Sequence, residues 1–142
     1  MKGLPRTTVG WSMVVFGVIA VVLGVVGVVR PEALLALLGF EVVPAHARAS
    51  GDYTRVFLTA SSMASLNMGV YYLVAAATEW RPFFRFTVGF RLLTFTVFTT
   101  LVLLGDAPAR FFGVALWEGV GAAATGLALL HDRRTAASLA RG

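Results

Sequence analysis

The sequence predicts an all-α integral membrane protein, a four-helix bundle with both termini in the cytoplasm. Three observations predict it. Of 142 residues, 58% are hydrophobic, against about 45–50% in an ordinary soluble domain, and mean hydropathy is +0.81. The excess is gathered into long runs almost free of charge, which suit a bilayer better than a soluble core. The segments between the runs are too short for a second core, the longest joining Arg30 to Asp52, so a single domain over 1–142 is expected.

The first run, 9–29, carries no charge and matches the ~20 residues a helix needs to cross hydrocarbon. Lys2 and Arg6 give it the basic start of a secretory signal. Its apolar stretch exceeds the ~7–15 residues usual there, and Ala45-His46-Ala47, which resembles a cleavage site, lies too far downstream. An uncleaved signal anchor is expected. Gly10, Gly17 and Gly24 fall on one face, with Ala20 and Gly27 nearby, where small residues let helix backbones approach.

Pro31 then suits the first turn of a helix and Gly39 its stop. The intervening EALLALL is apolar nearly all round but too short to cross. A short interfacial helix in the first outer loop is expected, lying in the interface or tucked against the bundle. VVPAHARASGD follows as loop. The second run is 56–78, the third 83–104 and the fourth 111–130. Glu79-Trp80-Arg81-Pro82 and Gly105-Asp106-Ala107-Pro108 are short turns, so successive runs should be antiparallel neighbours. Gly119 with Ala123, and Ala122 with Gly126, give the fourth run small faces of its own. Trp11, Tyr53 and Trp80 suit an aromatic belt at the membrane surfaces.

Basic residues set orientation. Lys2, Arg6, Arg81, Arg85, Arg133, Arg134 and Arg141 fall on one side, and Arg30, Arg48, Arg55 and Arg110 on the other. Seven against four favours cytoplasmic termini. The net charge of +5 is thereby explained by topology, and no nucleic-acid partner is expected.

Catalytic chemistry finds few residues. With no cysteine there is no disulfide, thiolate metal site or cysteine nucleophile. His46 and His131 lack metal-ligand spacing, and neither shares the depth of the serines in TASSMAS. The glycines fall at helix-packing intervals, not in a phosphate-binding loop. No enzyme, metal or obligate cofactor is expected, though a bound lipid or quinone is compatible with the pattern.

Two charges nevertheless lie inside the apolar runs: Arg91 in FTVGFRLLTFTVF and Glu118 in FFGVALWEGVGAAATG. A charge at a bilayer centre costs at least ~2.5–3.5 kcal/mol on insertion scales, so such residues persist when paired, hydrated or used. Counted from the cytoplasmic side, Arg91 lies about 12 Å deep and Glu118 about 18 Å, with Asn67 at about 15 Å. The sequence therefore predicts an intramembrane polar core of Asn67, Arg91 and Glu118, with Tyr71, Thr87 and Thr94 around it. Its simplest role is an ion pair that fixes helix register. The alternatives are a site for the polar head of a lipid-like or quinone-like molecule, a contact to a partner subunit, and a proton path. The path is disfavoured because a partnered arginine stays protonated.

The Pro31–Phe40 stretch, Tyr53-Thr54-Arg55 at the start of the second run, the Arg81–Phe83 turn, and the arginine and glutamate of the last two runs resemble the small four-span bacterial membrane proteins of the DoxX-like type. That resemblance implies a four-helix membrane fold in the bacterial inner membrane, and some such proteins are subunits of larger assemblies, including quinone-linked ones. The expected function is a non-catalytic accessory subunit of a larger membrane complex, first a lipid or hydrophobic-molecule transport system, with membrane lipid and other membrane subunits as partners. The alternative is a stand-alone membrane binder, or a quinone- or lipid-linked enzyme component, acting through Arg91 and Glu118.

Overall fold

The computed structural model describes residues 4–139, so Lys2 and Arg141 of the charge tally lie outside the described residues. Among these there are five α-helices and no strand: α1 Thr8–Val29, α2 Pro31–Leu38, α3 Thr54–Ala77, α4 Arg81–Leu103 and α5 Phe112–Leu139. Short 3-10 turns at Ala45–Ala47 and Ala109–Phe111 break the loops before α3 and α5. α1, α4 and α5 with its leading turn are long and apolar enough to cross a membrane. α3 covers the run expected over 56–78 but is not in that class. Its 24 residues are sufficient in length; its serines, Asn67 and paired tyrosines dilute its apolarity.

Packing follows the small residues. α1 lies antiparallel along α3 because both backbones are bare where they meet. A Cβ added at Gly17 would sit 3.0 Å from the Gly69 carbonyl oxygen, and one at Gly24 would sit 2.8 Å from the Leu66 amide nitrogen. Ser65 Oγ donates across this seam to the Ala20 carbonyl at 3.1 Å. α4 lies along α5, and α1 joins the two pairs by also packing on α5, where Ser12 and Thr125 hydroxyls meet at 3.3 Å. The expected neighbourhood of the second and third runs is only partly realised. α3 and α4 touch near their connecting turn and diverge beyond it, because the small face of α3 draws it to α1.

At the start of α1 the amides in and just before the first turn, where a helix leaves N–H groups unpaired, find side-chain acceptors both near and far along the chain. Thr7 caps with its own hydroxyl, 3.1 Å from the Gly10 amide. Glu79 Oε1 accepts from the Arg6 and Thr7 amides at 2.6 and 3.1 Å, and Oε2 from the Thr7 hydroxyl. Asp132 Oδ2, near the end of α5, accepts from the Val9 amide at 3.2 Å. Glu79 has φ of 51°, a left-handed backbone that favours glycine. The carboxylate's hydrogen bonds offset that strain.

At the opposite end α2 is tucked against the long helices. Pro31 and Leu34 are buried. Gly39 closes α2 at φ 87°, and Arg110 packs where a Cβ there would be, its Nη1 reaching the Ala36 carbonyl at 3.5 Å. Phe40 and Phe98 both pack on Phe111. Glu32 in the first turn of α2 takes Arg48 at 3.3 Å and Arg55 at 3.8 Å. Its carboxyl is held below the usual glutamate range, chiefly by a backbone hydrogen bond at the helix start, and further by Arg48 and Arg55.

Candidate functional site

Arg91 is the point at which the four long helices meet. Its side chain is 3% exposed at the middle of α4. Nε lies 3.6 Å from Glu118 Oε2 of α5 and donates to the Tyr72 hydroxyl of α3 at 3.3 Å. The guanidinium lies over the Phe16 ring of α1, 4.0 Å from its centroid, and 4.9 Å from that of Tyr72. Trp117 packs on the Phe16 ring at 4.3 Å and steadies it. Stacking on aromatic faces suits a planar, weakly hydrated cation in a dry setting.

The fit is set by α5. Arg91 Nη1 occupies the place a Cβ on Gly121 would take, and the edge of Phe16 lies 2.9 Å from the same point. Gly121 is therefore a steric requirement of the arginine. Thr87, one helical turn before Arg91, donates to the Tyr72 hydroxyl at 3.3 Å and is buried. Tyr72 thus accepts from both Thr87 and Arg91.

The expected pair Arg91–Glu118 is formed, and Thr87 stands beside it. Thr94 donates to its own helix at the Phe90 carbonyl and lines the same cavity as Arg91 and Glu118. Asn67 and Tyr71 are not brought to the pair. Both are exposed on the outer side of α3, because the face that turns inward is the one that packs on α1. Tyr72, one residue or about 100° further round the helix, takes the place expected of Tyr71. The signal for it was present: Ser62, Gly69 and Ala76 recur at seven-residue spacing, all three are buried, and Tyr72 adjoins that stripe.

Because α3 and α4 diverge, a cleft of about 380 Å³ opens between them, lined by Met68, Tyr72, Phe83, Phe86, Phe90 and Thr94 around Arg91 and Glu118. Its volume is within the ~300–1,000 Å³ of small-molecule sites. Phe83 and Phe86 also border a recess of about 300 Å³ at Trp80 and Pro82, beside the α3–α4 turn. No cluster of three or more metal-ligating side chains occurs among the described residues.

The class these features define is a helical protein with helices suited to a membrane and a buried arginine paired with a half-buried glutamate at their junction. Comparison with protein-family models, curated proteins and solved structures returns no match.

Proposed function

We propose that the chain is a four-span protein of the bacterial inner membrane with both termini cytoplasmic, and that it serves as a non-catalytic accessory subunit of a larger membrane complex, first a lipid or hydrophobic-molecule transport system. The apolar outer surface supports the membrane setting. Val15, Val18, Val22 and Val25 of α1, Phe86, Phe90 and Leu93 of α4, and Val120 and Leu127 of α5 are all exposed, which inverts the pattern of a soluble protein. The DoxX-like resemblance of the sequence supports four spans.

One observation carries the subunit role. Between Phe57 and Val74 the exposed face of α3 presents Ala60, Ser61, Ala64, Asn67 and Tyr71, a small and polar patch that the exposed Val- and Phe-rich faces of its neighbours lack. An amide left without a hydrogen-bond partner in an apolar medium costs about 2–7 kcal/mol. Small residues beside a polar one are the means by which membrane helices attract one another. α3 is therefore the helix least suited to lipid and best suited to a partner.

The test places a photo-crosslinking amino acid at Asn67, Ala64 or Tyr71, and at Val25 and Val97 as lipid-facing controls. One discrete protein adduct, the same from all three α3 positions and absent from both controls, is expected in the native membrane. Lipid adducts alone at all five positions would overturn the subunit role.

A further inference from the structure

We propose that the α3–α4 cleft is a binding site for a neutral amphipathic molecule. Its carbonyl- or hydroxyl-bearing head sits against Arg91 and Glu118, and its apolar body lies along Phe83, Phe86 and Phe90. This depends on the membrane setting but not on a partner subunit.

Three features of the cleft carry the assignment. The first is unmet hydrogen-bonding capacity. A guanidinium has five N–H donors. Of those on Arg91, Nε has an acceptor, the Tyr72 hydroxyl, and Nη1 is sealed against Gly121 and Phe16, so it is through the rest of its guanidinium that Arg91 lines the cleft. Glu118 meets Arg91 at 3.6 Å, beyond good hydrogen-bond range, so its carboxylate keeps acceptor capacity. A buried polar network is costly when only partly satisfied. A head that offers an oxygen acceptor, or a hydroxyl that both accepts and donates, complements both residues.

The second feature is charge. Arg91 already has Glu118 as its counter-ion. An anionic head would add a net negative charge in a low-dielectric setting, and a cationic one a net positive charge; either incurs a desolvation cost that a neutral head avoids.

The third feature is access. Phe83 and Phe86 border both the cleft and the recess at Trp80, and Trp80 stacks on Phe83 with centroids 5.5 Å apart. An aromatic track thus runs from the α3–α4 turn to the pair. From Phe83 to Thr94 it extends about 16 Å at helical rise, enough for the body of an acyl or isoprenoid chain. Phe86 and Phe90 are more than half exposed, so a ligand reaches the track sideways, without unfolding the protein.

The experiment uses the purified full chain in phosphatidylcholine nanodiscs. Three diazirine probes of equal chain length carry a hydroxyl, a methyl ketone or a carboxylate head. Labelled residues are mapped by peptide mass spectrometry. The hydroxyl or ketone probe is expected to label Met68, Phe86 or Phe90 at least tenfold above Leu92 and Val97, and above the carboxylate probe. Which of the two neutral probes labels more strongly separates an alcohol head from a carbonyl head. Thr94→Phe fills the cleft without removing a contact of Arg91, and is expected to abolish that preference while the helical circular dichroism is unchanged. Arg91→Met is expected to reduce it as well. Equal labelling of cleft and lipid-facing positions, labelling that survives Thr94→Phe, or stronger labelling by the carboxylate probe would each overturn the assignment. None of these outcomes bears on crosslinking from Asn67, so the two proposals fail separately.

Discussion

Gly121→Ala tests the placement of Arg91 with the smallest perturbation available, one methyl group. The added Cβ falls on Arg91 Nη1 and 2.9–3.0 Å from the Phe16 ring edge. Arg91 has little room to yield, since Nε is held by Tyr72 and Glu118 and the guanidinium rests on Phe16. The methyl must separate α1 from α5 or displace the guanidinium. Overpacking a core costs about 1–3 kcal/mol, and uncoupling a buried charge from its partner about 3–5 kcal/mol. Alanine's better helix propensity returns about 1 kcal/mol. A net loss of about 0–2 kcal/mol is expected if the helices separate, and about 2–4 kcal/mol if the guanidinium is displaced. Gly89→Ala is the control, because a Cβ there meets nothing within 4 Å; it should be neutral or slightly stabilising. The assay is SDS-induced unfolding from maltoside micelles, followed by far-ultraviolet circular dichroism. Adding Arg91→Met should recover part of the loss, since the methyl then has a flexible neighbour. Equal stability of Gly121→Ala and Gly89→Ala would show that the guanidinium does not lie against α5.

Tyr72→Phe removes the hydroxyl that accepts from Arg91 and Thr87 and should cost about 1.5–3 kcal/mol in the same assay, whereas Tyr71→Phe should cost nothing measurable. Arg91→Met and Glu118→Met should each destabilise by about 3–5 kcal/mol, with a double-mutant loss well below their sum; simple additivity would show that the residues are uncoupled. Glu79→Gly relieves a positive φ yet should still destabilise by about 0.5–2 kcal/mol, the range for losing a helix cap; a gain in stability would refute the capping role. Glu32 is held below its ordinary value of 4.5, so its contribution to docking α2 is present above that pH and lost only as pH falls through the lowered value. The protection of α2 amides, corrected for the intrinsic pH dependence of exchange, should hold down to pH 4.5 and fall below it; loss of protection at higher pH would point to another group.

Helix existence and ends were legible wherever local chemistry decides them. The charge-free run over 9–29 became α1 almost residue for residue, and Pro31 and Gly39 bracket α2 as their backbone preferences require. Depth counting brought Arg91 and Glu118 together because a tight turn makes α4 and α5 antiparallel neighbours. The same logic failed between α3 and α4. A short connection fixes adjacency at the turn alone, and the seven-residue spacing of Ser62, Gly69 and Ala76 steers α3 toward α1. Asn67 and Tyr71 thereby face outward and Tyr72 inward. Phe16 and Gly121 carry no local mark of their tie to Arg91, since aromatics and glycines in an apolar run read as packing. Glu79 was legible only as a turn residue; its role depends on backbone amides 72 and 73 positions earlier.

Long-range capping of the first helix has a consequence for biogenesis. α1 is made before the other described helices, yet the acceptors for the Arg6, Thr7 and Val9 amides at its head arrive with the α3–α4 turn and with the last turns of α5, Asp132 following Val9 by 123 residues. Until the ribosome has delivered those carboxylates, the surrounding medium must serve the exposed amides. α1 is thus begun before the other described helices and completed after them, and a chain truncated before Asp132 keeps α1 to α4 and the apolar part of α5 but leaves that end of the assembly unlatched.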